Sequence, residues 1–399
     1  MSEFLECAKK GDVMGVMTAL PHTENIQETD EHGTNALMFM AMSCNDAIVF
    51  NNLINAGIDV NATQESGLTA LFFASAETSN IAVLKTLIEK GADVNARDHH
   101  QSTPLMFAAM MNRNPEVCEF LLDAGADLNA VDDEGRSVLM WAAKENPNPD
   151  IASFLIDCGL DVRLREEKYG ATALMMAAKY NPSPKMVSAL ISKGAKVNRA
   201  TRFGYTALMV AVGKNPNPEV TEYLLSAGSR VDMTNINDET PLMLAAQSSS
   251  STRVIDLLMK YGSNIHQKNK VGATAILQAS MSNTNPEIIS ALIRAGASLA
   301  DTDIRLQATP LLWASAMNPN PAIVQTLLQA GSSLDEKTFD GKNALMAAVS
   351  SNPNPDVAGF LLAQGIDINA TDKAGKRASF YAKDNPALYN TDVMWKLMG

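Results

Sequence analysis

Apolar positions along this chain come in short blocks, and the blocks come in pairs. In the stretch V-T-E-Y-L-L-S-A-G from Val220, apolar residues fall three and four apart, which predicts a helix with one buried face. The block before it, A-L-M-V-A-V-G-K, is almost entirely small or apolar, as expected of a short helix whose alanines let a neighbour approach closely. Between the two lies N-P-N-P-E at Asn215, and close variants return at Asn146, Asn181, Asn318 and Asn352. Two prolines inside a helical region read as a stop and a start fused together. The first Asn is expected in the left-handed conformation that ends a helix, and the proline after it prevents continuation. The second Asn or Ser is then an N-cap and the second Pro the first helical residue. An acidic residue after it complements the positive helix end.

The pattern is periodic. Tetrads of the type T-A-L-M begin at Asn35, Thr69, Thr103, Ser137, Thr172, Thr206, Thr240, Thr274, Thr309 and Asn343, spaced by 34 residues seven times and by 35 twice. A degenerate copy begins at Arg377, and every full copy carries a glycine 22 residues after its first position, from Gly57 to Gly365. One period is therefore helix, tight turn, helix and a loop of about a dozen residues, a unit that buries its apolar face only by stacking on its neighbours.

At this level of detail the chain resembles the ankyrin repeats. The residues that carry the resemblance are T-P-L-M-F-A-A at Thr103 with G-A-D-L-N-A at Gly125, and T-P-L-M-L-A-A at Thr240. The resemblance implies an all-α repeat solenoid, stacked helix-turn-helix-loop units forming a curved rod with a concave face. It is expected as a single array over 1–399: an N-terminal cap in 1–30, ten full repeats in 31–371 and a C-terminal cap in 372–399, with no appended catalytic domain. Two departures stand out. N-P-N-P replaces the shorter inter-helix turn of the family, and the His of the family tetrad is usually Met (Met38, Met106, Met140, Met175, Met209, Met243, Met346). Any hydrogen-bond ladder made by that His is expected to give way to thioether packing.

Charge changes the picture by its distribution. Net charge is −12 over 399 residues, but residues 1–134 hold 6 basic and 21 acidic side chains (net −15), residues 135–231 hold 13 and 8 (net +5), and residues 232–399 hold 13 and 15 (net −2). An acidic chain is repelled by nucleic-acid phosphates, so no nucleic-acid partner is expected. The N-terminal residues lack a signal-peptide run and no stretch reaches membrane-spanning length, so the expectation is a cytoplasmic chain with no membrane partner. Cys7, Cys44, Cys118 and Cys158 have no metal or disulfide spacing and read as reduced, mostly buried thiols.

The resemblance implies that loop tips and the ends of first helices line the concave face. Early copies offer acidic residues and His there, and late copies offer Val271, Met281, Leu306, Met317 and Phe339. The middle copies offer the candidate partner-binding set: Arg136, Lys144, Lys168, Tyr169, Lys179, Tyr180, Arg202, Phe203, Tyr205 and Lys214. Tyr, Phe and Arg dominate interface energetics because they bury much area for few lost rotamers. The interval from Gly159 to Thr172 is one residue longer than its neighbours, which is expected to push Lys168 and Tyr169 outward, and the same lengthening recurs between Gly296 and Thr309. Trp141 and Trp313 occupy a position otherwise held by Phe, Met or Leu and read as inter-repeat packing. His99 and His100 beside Asp98 diverge on an extended tip, so no metal is expected.

No phosphate loop, nucleophile elbow, dinucleotide motif or H-E-x-x-H is present. The reading is a non-catalytic, monomeric scaffold for protein–protein interaction, without cofactor, holding another protein through an acidic segment on its concave face. The alternative is a dedicated regulator or ligand carrier for one specific enzyme.

Overall fold

The computed structural model describes residues 2–398, and among these the chain is helical, with isolated bridges and no β-strand. It divides into two compact units, Met1–Val197 and Asn198–Gly399. Within the first unit the first helices of successive repeats (Ala36–Ser43, Ala70–Glu77, Pro104–Met111, Val138–Glu145 and Ala173–Tyr180) stack in order, and the second helices (Ala47–Asn55, Ile81–Glu89, Pro115–Asp123, Pro149–Asp157 and Pro184–Ser192) form the adjoining layer. The second unit repeats the plan, with first helices from Ala207–Lys214 to Ala344–Ser351 and second helices from Pro218–Ser226 to Pro355–Ala363. The core is the pair of helix faces that the apolar spacing marks. Ala173, Leu174, Met175, Ala177 and Ala178 are buried on one first helix, and Met186, Val187 and Leu190 on the second helix that follows it. All seven tetrad methionines are buried, so thioethers do fill the tetrad position.

The N-P-N-P segments start helices as their sequence demands. Asn148 is extended and its side chain accepts from the Asp150 N–H at 3.0 Å, with Pro149 in the first turn. The first Asn corrects the sequence reading. It is not left-handed: Asn146 has φ −68° and ψ 125°, and Asn112, Asn181, Asn318 and Asn352 are likewise extended. Where a proline follows, its ring excludes the helical region for the residue before it, and extended backbone turns the amide inward. Asn146 Nδ2 then donates to the carbonyls of Ala109 (2.8 Å) and Asn112 (2.7 Å) in the preceding repeat, while its Oδ1 accepts from the Asn148 N–H at 2.8 Å. Asn112 and Asn181 continue this ladder in the first unit, and Asn283, Asn318 and Asn352 build it in the second. Each link is buried and joins residues more than thirty apart, so the stack carries a polar spine beside its methionines.

Second helices end at a glycine in the left-handed region. Gly159 has φ 110°, its N–H bonds the Ile156 carbonyl at 2.9 Å, and the Leu160 N–H bonds Leu155 at 3.2 Å, which closes the C-terminal turn. The residue before that glycine, Cys158, is exposed, and Cys7 is partly so. Only Cys44 and Cys118 are buried, which corrects the expectation of mostly buried thiols; burial, with the nearby Cys158, pushes the Cys118 thiol up to about 12.

Candidate functional site

The loop tips are shaped by one polar side chain each. Asp98 Oδ1 accepts from the N–H groups of His100 (2.9 Å) and Ser102 (2.7 Å), and Asp132 Oδ1 does the same for Glu134 (3.0 Å) and Arg136 (2.8 Å). Such a side-chain turn is local chemistry that Asp and Asn favour. Neighbouring tips are then joined through the main chain: the Glu65 N–H to His32 O (2.9 Å), His99 to Ser66 (3.0 Å) and Asp133 to His100 (2.9 Å). His100 and Asp133 also approach through their side chains, with Nδ1 3.2 Å from Oδ2.

The longer interval after Gly159 makes a wider turn. Glu166, itself buried, accepts from the N–H groups of Lys168 (2.6 Å), Tyr169 (2.6 Å) and Ala171 (2.9 Å). Among the described residues no main-chain hydrogen bond joins this turn to the Asp132 turn, although Gly135 still packs closely against Glu167. Lys168 and Tyr169 are exposed at its crest, with the Lys168 ammonium 5.1 Å from the Tyr169 ring centroid. A side-chain hydrogen bond with Tyr169, reinforced by that residue's charge, holds the Lys168 pKa above its ordinary value.

Six of the ten candidate residues lie in the first unit; Lys168 and Tyr169 meet at the crest of the wider turn, and the other four fall into two clusters. In one, Lys144 and Lys179 on successive first helices place their ammonium groups 5.5 and 4.5 Å from the ring centroid of Tyr180, which is 44% exposed. In the other, Arg136 lies 5.2 Å over the ring of Trp141, and Trp141 stacks on Phe107 at 6.0 Å. Arg136, Met140, Trp141, Lys144 and Met176 enclose a cavity of about 60 Å³. The remaining four lie in the second unit. Phe203 accepts the Ile236 N–H through its carbonyl (3.0 Å) and its ring is exposed. The Tyr205 N–H bonds Thr201 Oγ1 at 3.0 Å, and Arg202 and Lys214 are exposed on a tip and at a helix end.

Two features of the site were missed in the sequence. The first is charge cancellation: Arg136 pairs with Asp132 at 2.7 Å and Glu134 at 2.6 Å, and Lys144 pairs with Glu145 at 2.7 Å. The second is the tie made by Trp141, read mainly as inter-repeat packing, which its stack on Phe107 bears out. Its ring is partly buried, but its indole N–H donates to Asp132 Oδ2 at 2.9 Å, which ties the helix to the tip and leaves one ring face to the cavity. An acidic tip residue nine positions before a tryptophan was the available signal, and Asp303 with Trp313 repeats it at ten positions, 3.0 Å from Nε1 to Oδ2.

No helix among the described residues is long and apolar enough to cross a membrane. No curated protein sequence matches the chain. The family model for ankyrin repeats (three copies) matches residues 4–98, 76–166, 105–201, 139–235, 174–269, 208–303 and 276–372, and the chain therefore belongs to the ankyrin repeat family.

Proposed function

We propose that this protein is a binding scaffold whose tips and first helices between Arg136 and Tyr180 receive an acidic, partly apolar segment of a partner protein. Ankyrin repeats are generally protein–protein interaction modules and typically non-catalytic, which supports the broad class. The observation that carries the specific reading is Tyr180, an exposed ring held between two lysines. Lys179 has no carboxylate within ion-pair distance among the described residues, so its charge is available. A carboxylate on the lysines beside an apolar contact on the ring combines steering with buried area. Arg202, Phe203, Tyr205 and Lys214 would make a contact surface of their own on the second unit.

The test uses the full chain labelled with fluorotryptophan, which reports on its three indoles, and synthetic acidic peptides that carry one aromatic residue. Peptide should move the Trp141 resonance and bind more weakly at high salt. The double variant Lys179→Glu with Tyr180→Ala should lose about tenfold in affinity. Unchanged affinity in a folded double variant would remove this surface from consideration.

A further inference from the structure

A second cluster of lysines and aromatic rings lies in the C-terminal unit, outside the candidate set. Lys373 Nζ is 4.5 Å from the ring centroid of Phe339, Lys376 Nζ is 3.9 Å from that of Phe380, and Lys342 Nζ is 4.6 Å from that of Tyr381. Phe339 is 61% exposed and Phe380 45%. Of the three lysines only Lys342 has an ion-pair partner, Asp340 at 3.3 Å. Lys373 and Lys376 have none among the described residues, because Asp372, the acid beside them, turns inward. It accepts the Tyr381 hydroxyl and the N–H groups of Ala374 (2.9 Å) and Lys376 (2.8 Å).

Directly beside this cluster is a cavity of about 140 Å³. Leu306, Leu312, Trp313 and Met317 form its apolar side, with Ser350 and the paired Asp340 and Lys342 at the other. A cavity of roughly this size holds a benzene-sized group, so one leucine or phenylalanine side chain would fill it. The walls are fixed in advance. Trp313 is tied to Asp303, the Phe339 N–H bonds the Leu306 carbonyl at 2.7 Å, and the Lys373 N–H bonds the Asp340 carbonyl at 3.0 Å. Rings under the ammonium groups restrict the lysines as well. Little ordering cost would remain for a ligand.

We propose that this cluster is a second, independent docking site for a protein segment in which one large apolar residue is flanked by carboxylates. The apolar side chain enters the Trp313 cavity and the carboxylates meet Lys373 and Lys376. Charge complementarity sets the choice of ligand: Lys342 lines the pocket with its charge paired to Asp340, and on the following loop Lys373 and Lys376, with no ion-pair partner among the described residues, leave two ammonium groups for an anion.

The experiment again uses the fluorotryptophan-labelled full chain, with the Trp313 resonance assigned from Trp313→Phe. The probe is a peptide of aspartate and glutamate around a single leucine. It should shift the Trp313 resonance, a peptide with glycine in place of that leucine should not, and Lys373→Glu with Lys376→Glu should weaken binding about tenfold or more. Ser350→Phe, placed at an exposed position on the cavity rim, should fill the pocket and abolish the shift in a chain that melts as the parent does. A Trp313 resonance unmoved by the peptide overturns the proposal. So does a shift that survives the double charge reversal, or equal binding of a single-stranded oligonucleotide or an anionic vesicle. Because Trp141 reports on the other surface, failure at either site is read separately.

Discussion

The surroundings of Trp141 and of Trp313 are two versions of one arrangement with different electrostatics. In both, an indole N–H on a first helix is held by the acid of a loop tip, and the ring borders a small cavity. Around Trp141 the cations are largely answered from within, Arg136 by Asp132 and Glu134 and Lys144 by Glu145. Beside the Trp313 cavity Lys342 is answered by Asp340, whereas Lys373 and Lys376 on the following loop have no ion-pair partner among the described residues. Yet the sequence around Trp141 carries the net positive charge, +5 over residues 135–231, and the later third is slightly acidic, −2 over residues 232–399. Summed charge therefore misjudges how much is available to a partner, because contacts a few ångströms long decide which charges are already paired.

The strongest way to break the comparison is to attack the frame the two regions share. Asn146 and Asn318 are both fully buried and make the same three hydrogen bonds. Replacing either by Ala leaves carbonyls of the previous repeat unsatisfied and should cost about 3 kcal/mol, equally at the two sites, in denaturant unfolding. A large inequality would mean the frames differ and the tryptophan comparison is not like for like. The next effect separates the regions. Trp141 stacks on Phe107 and carries Arg136, whereas Trp313 has no aromatic neighbour among the described residues. Trp141→Ala should therefore be more destabilising than Trp313→Ala by about 1 kcal/mol, read from the same unfolding curves.

The smallest effect concerns acid. Burial disfavours the Asp303 carboxylate, but the N–H groups of Leu306, Ala308 and Arg305 and the Trp313 indole outweigh it and hold its pKa below the ordinary value. A lowered folded-state pKa means the stabilisation is complete above the unfolded value, about 4, and is lost as pH falls through the lowered one. Asp303→Asn should flatten the decline of the melting temperature between about pH 5 and pH 2, and an unchanged slope would show that this carboxylate contributes nothing to acid stability.

Much of the frame was legible in the residues themselves. The tetrads located every first helix, the glycine 22 residues on located the end of every second helix, and the second Asn of N-P-N-P was the N-cap it reads as. The first Asn was misread because its conformation answers to a distant partner: nothing within five residues of Asn146 shows that the carbonyls of Ala109 and Asn112 wait for its amide. The lengthened turns show the same limit. Glu166 and Asp303 each gather three N–H groups around one inserted residue, yet the Ile304 N–H still bonds Val271 O at 3.1 Å, and among the described residues no equivalent bond reaches the Glu166 turn from the one before it. Tyr180 and the two lysines beside it meet at the ends of successive first helices, a proximity that the repeat spacing implied. Trp141 was passed over because an apolar position at packing spacing looks the same whether or not one ring face remains open.

What the sequence determined by itself was everything with a short range: where helices start and stop, the repeat length, and which faces are apolar. These follow from backbone sterics, capping and the 3.6-residue period, all set within a few neighbours. Tertiary structure alone decided how the repeats are joined, because those hydrogen bonds link groups more than thirty residues apart that meet only after stacking; which cations are already paired and where a ring stays accessible was decided by side-chain geometry that spacing along the chain does not fix.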